Sequence, residues 1–175
     1  MRSRPRRRAP DAEPLTDLAA CREAALKLLE RQRRTRADLE RRLRDRGYAP
    51  AVIAGVLERL AGVGLVDDAE YARAWLAGRW GRRAAGWRKL EQDLRGRGLS
   101  PEDIARGRAM LEERTGPMDE EHAARRVLEQ VARRYRGLDP RTRRQRLTAL
   151  LLRRGFDLDA VREALRQEAE EHRDE

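Results

Sequence analysis

Arginine is the residue type in this sequence with the most evident chemistry, because a guanidinium donates charge-assisted hydrogen bonds to phosphate or carboxylate groups. Lys and Arg total 41 residues against 31 Asp and Glu, which gives a formal net charge of +10. Such an excess indicates a polyanionic partner, most often nucleic acid. The alternative is a solvated helix face with internal ion pairs, such as Asp38 with Arg41 or Arg42. The candidate contact residues lie in three basic segments: Arg36, Arg41, Arg42, Arg44 and Arg46; Arg88, Lys89, Arg95 and Arg97; and Arg143, Arg144, Arg146, Arg153 and Arg154.

Residue types that catalyse reactions or bind metals are few. His122 and His172 are the only histidines, and neither has a second ligand at a useful spacing. Cys21 falls on an apolar helical stripe, which predicts a buried free thiol. The pair Asp67 and Asp68 is better explained by helix capping than by a metal site. No glycine-rich phosphate-binding motif is present. The sequence therefore predicts a protein that is not an enzyme and that uses no metal or cofactor.

The sequence motif that contains the basic residues occurs three times. Two leucines four apart, an Arg-Gly pair, an apolar residue and a further Ile or Val recur at fixed offsets. The leucines predict one face of a helix, and the glycine suits the left-handed position just after a helix end. Each copy therefore predicts helix, glycine turn, helix. The three copies are Leu39-x3-Leu43-x2-Arg46-Gly47-Tyr48-x4-Ile53, Leu90-x3-Leu94-x2-Arg97-Gly98-Leu99-x4-Ile104 and Leu147-x3-Leu151-x2-Arg154-Gly155-Phe156-x4-Val161.

A further apolar stripe precedes each copy, so the unit is a three-helix module of roughly fifty residues. The predicted fold class is all-α, with three tandem three-helix, helix-turn-helix-like repeats that form an elongated, curved rod. We expect repeats at 15–64, 65–117 and 118–170, after a disordered basic arm at 1–14 and before an acidic tail at 171–175. The third repeat is less clearly patterned, since only Leu165 continues its stripe after Val161.

The position of the charge within each repeat favours one kind of nucleic-acid contact. A helix-turn-helix reader places its base contacts on the helix after the turn, whereas here the helix before the turn is the more basic one. This favours sequence-independent contact with a phosphate backbone. Trp75, Trp80 and Trp87 are better explained by core and inter-module packing than by base stacking. A single cysteine and the lack of an apolar run of ~18 residues predict a cytoplasmic protein outside the membrane.

The stretch Gly64-Leu65-Val66-Asp67-Asp68-x2-Tyr71-Ala72 and the flanking repeats resemble the RecX regulatory proteins. The resemblance covers about residues 20–168. It implies a small helical protein, not an enzyme, that binds the RecA recombinase and its filament on single-stranded DNA. It further implies inhibition of the ATPase and strand-exchange activities of RecA, with the repeats lying along the filament groove. We expect a monomer whose nucleic-acid partner is single-stranded DNA, with non-specific duplex DNA as an alternative.

Two other functions are compatible with the residues. The first is a free-standing, tandem helix-turn-helix-type nucleic-acid-binding protein that uses the basic helices as its footprint. The second is a scaffold that binds an acidic protein without nucleic acid. A sequence-specific reader would protect a defined duplex site, a scaffold would ignore DNA, and a filament regulator would bind recombinase filaments more tightly than bare DNA.

Overall fold

The computed structural model describes residues 13–80 and 85–171, with the side chain of Glu171 excepted. Most of the predicted arm at 1–14, His172 and most of the predicted acidic tail lie outside the described residues. Within the described ranges the secondary structure is helical, apart from one isolated bridge between Leu15 and Tyr48. The helices are α1 (Leu18–Leu29), α2 (Arg36–Arg44), α3 (Pro50–Gly62), α4 (Asp68–Ala77), α5 (Trp87–Arg95), α6 (Pro101–Thr115), α7 (Glu120–Val131), α8 (Pro140–Arg153) and α9 (Leu158–Glu171), with a short 3₁₀ helix at Ala132–Tyr135.

The side chains that begin these helices are those that cap helices in general. Asp17, Thr35, Asp119 and Asp139 each accept a hydrogen bond from a backbone amide three residues later. Asp67 does the same for Glu70 at the start of α4, with a distance of 2.9 Å. Capping is therefore confirmed as the function of Asp67.

The chain forms two compact units. Unit 1 contains residues up to Arg73 together with Arg95–Gly107, and unit 2 contains Ala74–Leu94 together with the residues from Arg108 onward. The core of unit 1 is formed by α1, α2 and α3 around Cys21, Ala25, Leu28, Leu39, Leu43, Ile53, Val56, Leu57, Leu60 and Val66. The corresponding core of unit 2 is formed by α7, α8 and α9 around Ala124, Val127, Leu128, Val131, Leu147, Leu151, Phe156, Val161, Ala164 and Leu165.

The repeated leucines are the centre of this packing. Leu39, Leu43, Leu90, Leu94, Leu147 and Leu151 are all at most 2% exposed. Burial of one leucine side chain contributes about 1.5–3 kcal/mol relative to exposure, so each of these positions contributes substantially to the stability of its repeat. Trp75 is buried as well, and Cys21 is inaccessible to solvent. The predicted stripes and the predicted buried thiol are confirmed.

The predicted glycine turns are confirmed too. Gly47, Gly98 and Gly155 have φ of 89°, 84° and 85°. After α8, the Gly155 amide donates to the Leu152 carbonyl at 3.0 Å, and the Phe156 amide donates to the Leu151 carbonyl at 3.3 Å. This is the paired hydrogen-bond pattern of a Schellman cap, in which the residue after glycine folds back on the last turn.

The last helix is longer and better packed than its sequence pattern indicates. In α9, Ala160 and Ala164 are at most 3% exposed and share a buried face with Val161 and Leu165. Alanine carries little hydrophobic signal, so half of the stripe is not visible in the sequence. Glu168, which the sequence places in an acidic terminal stretch, is 8% exposed because Arg143 of α8 covers it.

Candidate nucleic-acid interface

The basic residues of α2 are largely engaged with acids of the same unit. Asp38 accepts hydrogen bonds from three arginines, including Arg34 at 2.7 Å and Arg42 at 2.8 Å, and the third is Arg41. Arg44 pairs with Glu40, and Arg36 pairs with Glu58 of α3. The intrahelical pairs expected for Asp38 are thus confirmed. Arg46 lies beyond the helix end, where its guanidinium donates to the Ala24 carbonyl at 3.3 Å.

The environment of Asp38 shows how strongly positive this surface is. Burial opposes ionisation of the carboxyl group, but the hydrogen bonds from Arg42, Arg34 and Arg41 outweigh it and lower the pKa to about 2. One carboxylate cannot neutralise three guanidinium groups, so a positive excess remains. Arg41 is 66% exposed and Arg42 is 41% exposed. Exposed pairs of this kind contribute about 0–1 kcal/mol each and can exchange their partner for a phosphate.

The basic residues of α5 and the following turn lie on an exposed surface. Lys89 donates to Asp93 at 2.7 Å within the helix. Arg88 is exposed. The pKa of Asp157 is lowered mainly by a hydrogen bond from the Ala160 amide and by one with Glu120, and the positive charge of Arg88 adds to this effect. Arg95 and Arg97 are exposed, and the Arg97 guanidinium lies 3.4 Å from the Tyr71 hydroxyl.

Helix α8 differs from α2 because its sequence contains five arginines and no acid. Arg143 is only 19% exposed and forms an ion pair with Glu168, so it connects α8 to α9. Arg144, Arg146 and Arg153 are exposed, and their side chains have no hydrogen-bond or ion-pair partner in the part of the chain that the structure describes. Arg154 is half-buried at the helix end. These three exposed arginines differ in this respect from the paired arginines of α2.

A second set of polar residues, not predicted from the sequence as a group, joins consecutive repeats inside unit 1. The backbone amide of Arg36, the first residue of α2, donates to Asp68, the first residue of α4, at 2.9 Å. The Thr35 hydroxyl donates to the Arg97 carbonyl at 3.0 Å. The turn at Gly98 lies so close to α2 that a Cβ there would be 2.4 Å from that of Ala37. The start of α2 is thereby fixed to the next repeat.

The same joint recurs inside unit 2. The amide of Trp87, the first residue of α5, donates to Glu120, the first residue of α7, at 2.7 Å. The amides of Gly86 and Arg88 donate to the carbonyls of Arg154 and Gly155 at 2.9 and 3.1 Å. The two joints use corresponding positions of successive repeats. A signal was present in the sequence, because Asp67-Asp68 and Asp119-Glu120 are acidic pairs at matching positions, and one acid of each pair is the cap.

Both joint acids are half-buried, and their pKa values are raised. Burial raises the pKa of Asp68, although the Arg36 amide opposes the change. Burial, followed by a hydrogen bond to Asp157, raises the pKa of Glu120 to about 7. Glu120 therefore titrates near neutral pH, and its protonated form can donate a hydrogen bond to the Asp157 carboxylate. These acids are structural, and the described residues contain no group of three or more His, Cys, Asp and Glu that could hold a metal ion.

The tryptophans are used in packing within unit 2. Trp75 is 8% exposed, and the Arg79 guanidinium lies over its ring at 4.0 Å from the centroid. Trp87 is half-buried, and Arg108 of α6 covers its ring at 4.5 Å. Cation–π contacts of this kind contribute about 0.5–1 kcal/mol at partly exposed sites. None of the helices in residues 13–80 and 85–171 has both the length and the apolar character needed to cross a bilayer.

The described helices form a protein of tandem three-helix repeats. Models of the first, second and third three-helix domains of RecX match residues 21–60, 67–107 and 119–165. The chain belongs to the RecX family. It is 36% identical over 159 residues to the regulatory protein RecX of Thermobifida fusca (strain YX), covering 91% of this chain and 84% of that one.

A further curated relative and two crystal structures also belong to RecX proteins. The regulatory protein RecX of Streptomyces coelicolor (strain ATCC BAA-471 / A3(2) / M145) is 34% identical over 172 residues, covering 94% of this chain and 88% of that one. The crystal structure of RecX from Lactobacillus salivarius superimposes with a TM-score of 0.76 at 20% identity, covering 86% of this chain and 95% of that one. A second crystal structure of regulatory protein RecX gives a TM-score of 0.70 at 24% identity, covering 82% and 70%. The all-α fold of tandem three-helix repeats is confirmed.

Proposed function

We propose that this protein regulates the RecA recombinase by binding its filament on single-stranded DNA and slowing ATP hydrolysis and strand exchange. It acts by binding rather than by catalysis, as a monomer in the cytoplasm and without a cofactor. Family membership supports the regulatory function. The observation that carries the DNA component is the surface of α8, where Arg144, Arg146 and Arg153 are exposed and have no acidic partner among the described residues.

Counterion release would supply the electrostatic part of the binding free energy. Each phosphate that is neutralised by an arginine releases condensed cations from the polynucleotide into solution. An arginine already paired with a carboxylate gives up that pair when it binds phosphate, whereas Arg144, Arg146 and Arg153 have no such pair to lose among the described residues. Phosphate contacts carry no base information, which suits a protein that follows a filament of any sequence.

Several repeats that bind together would add affinity without any strong single contact. When one repeat is bound, the next is held near its own site at a high effective concentration. The remaining candidate residues would contribute the weaker part of this interaction. They are the paired arginines Arg41, Arg42 and Arg44 of α2, together with Arg88, Lys89, Arg95 and Arg97 near α5. Occupation of the groove needed by the second DNA would then slow strand exchange.

The experiment compares two triple variants of the full chain. In the first, Arg144, Arg146 and Arg153 are changed to Gln. In the matched control, three other exposed arginines, Arg22, Arg59 and Arg114, are changed to Gln. Binding to single-stranded DNA is measured over a range of salt concentrations, and the inhibition of ATP hydrolysis and strand exchange by the cognate RecA is titrated.

We expect the α8 variant to lose about 2 from the log–log salt slope, since each neutralised phosphate contributes about 0.7 for single strands. It should also need a higher concentration to inhibit RecA, whereas the control should resemble the wild type. If the wild-type chain leaves both RecA activities unchanged while it binds bare DNA well, the regulator hypothesis is wrong and a free-standing nucleic-acid-binding protein takes its place. If it ignores DNA altogether, the scaffold interpretation is preferred.

A further inference from the structure

Unit 1 contains a cleft of about 520 Å³ beside the first joint. Its walls are the start of α2, the side chain of Tyr71 in α4 and the glycine turn at residues 96–98. Small-molecule and nucleotide sites typically occupy pockets of about 300–1,000 Å³, so the cleft is large enough for one nucleotide. Thr35 and Arg97, which form a hydrogen bond of the joint, are among its lining residues.

The walls of the cleft are strongly basic. Arg33, Arg41, Arg42 and Arg97 line it together with the more deeply buried Arg34. Asp38 is the one acidic residue in the lining, and it is shared by three of these arginines. Arg33 and Arg41 are 65% and 66% exposed, so their guanidinium groups remain accessible to a ligand. Although Arg33 also pairs with Glu70, the positive excess of the lining favours a ligand that carries negative charge.

The remaining walls suit a nucleotide more closely than a carboxylate. Tyr71 is half-buried and presents the only aromatic ring of the lining, and its hydroxyl lies 3.4 Å from the Arg97 guanidinium. An aromatic ring held beside arginines is the arrangement on which a base stacks while its phosphate is bound. Gly96 and Gly98 also line the cleft, and the absent Cβ of Gly98 lets its turn pack against Ala37 of α2.

We propose that this cleft binds one nucleotide of single-stranded DNA, with its phosphate on Arg41 and Arg42 and its base stacked on Tyr71. An acidic peptide segment would use the same arginines but would gain nothing from a flat ring. The proposal rests on the proposed function in one respect, namely that single-stranded DNA is a ligand of the chain. It concerns the chain alone, without RecA, and so it can be tested separately.

The test measures binding of the full chain to a labelled oligothymidylate and to an abasic oligonucleotide of the same length. The variants are Tyr71→Leu, which removes the ring, Tyr71→Phe, which keeps it, and Arg41→Gln. Arg59→Gln on α3 is the control with the same charge change outside the cleft. Thermal unfolding of each variant shows whether it remains folded.

We expect Tyr71→Leu to weaken oligothymidylate binding by about fivefold to 150-fold, which is the range typical for loss of one stacked base. Tyr71→Phe should bind like the wild type, and neither tyrosine variant should change binding of the abasic strand. Arg41→Gln should weaken binding of both strands, and Arg59→Gln should weaken neither more than slightly.

Two results would overturn the proposal, and the first does not depend on any variant being folded. If the wild type binds the abasic strand as tightly as oligothymidylate, no base is stacked. If oligoglutamate displaces the DNA as effectively as unlabelled oligothymidylate does, the cleft is a site for acidic peptides. Inhibition of RecA by the same variants is measured in parallel. If the binding results contradict the cleft proposal while the wild type still inhibits RecA, the proposed regulatory function is unaffected.

Discussion

Replacement of Gly155 by Ala is the sharpest test of the joint between the second and third repeats. Gly155 has φ of +85°, a conformation that costs an L-residue about 1–2 kcal/mol. A Cβ at this position would also lie 2.4 Å from the backbone nitrogen of Lys89. Backbone atoms cannot rotate away as a side chain can, so this overlap should add about 1–3 kcal/mol, as overpacking does elsewhere. We expect unit 2 to lose about 2–5 kcal/mol of stability.

Gly116 offers a matched control in the same unit. Its φ is +83°, but a Cβ there would meet no heavy atom within 4 Å. Gly116→Ala should therefore cost only the conformational part, about 1–2 kcal/mol, and both variants gain the same small benefit from a less flexible unfolded chain. The difference between the two variants isolates the contact between the Gly155 turn and the start of α5.

The assay is equilibrium urea unfolding followed by circular dichroism, with native-state hydrogen exchange at the amides of α5. Gly155→Ala should shift the midpoint more than Gly116→Ala, and exchange should accelerate in α5 as well as around the turn. Equal destabilisation by the two substitutions, with unchanged protection in α5, would refute the joint. The sequence repeat would then still be present, but its repeats would not be fixed to each other in this way.

Glu120, Glu168 and the N-terminal segment can each be tested by a single change. Because the pKa of Glu120 is higher in the folded protein than in the unfolded chain, its contribution to stability is full below about pH 4.5 and is lost as the pH rises through about 7. Glu120→Gln should remove this pH-dependent loss of stability, which is measured by comparing urea midpoints at pH 5 and pH 8. Glu168→Ala leaves Arg143 without its partner and should cost about 3 kcal/mol by urea unfolding, in contrast to a near-neutral Glu163→Ala at an exposed pair. Deletion of residues 1–12 should weaken DNA binding without lowering the Tm, whereas deletion through Leu15 should lower it, because Leu15 hydrogen-bonds with Gly47 and Ala49.

Periodicity and capping chemistry are local, and they are the part of the fold that can be predicted from the sequence. The leucine pairs, the positive φ of the repeated glycines and the caps at Asp17, Asp67 and Asp119 depend on residues within a few positions of one another. The intrahelical pairs of Asp38 belong to the same class. Such features need no knowledge of how one repeat meets the next.

What could not be predicted depends on contacts between residues far apart in sequence. The sequence explains Gly98 and Gly155 as turn residues, but it does not show that Ala37 and Lys89 leave them no room for a Cβ. It does not show that Glu168 is covered by Arg143. The basic cleft was also invisible, because Tyr71 and the arginines of α2 lie in different repeats of the sequence.

The joints between repeats form a head-to-tail interface in which each repeat presents a donor to the next and an acceptor to the previous one. The donors are the first-residue amides of α2 and α5, and the acceptors are the first-residue carboxyls of α4 and α7. Interfaces of this heterologous kind continue indefinitely unless an end unit lacks one half.

The last repeat lacks the donor of this joint, and the first repeat lacks the acceptor. The first residue of α8 is Pro140, which has no N–H to donate, and the first residue of α1 is Leu18, which has no carboxylate to accept. The start of α8 therefore cannot donate the hydrogen bond of the joint, and the start of α1 cannot accept it through a carboxylate. Among the described helices, this hydrogen bond is confined to the two joints that link the three repeats.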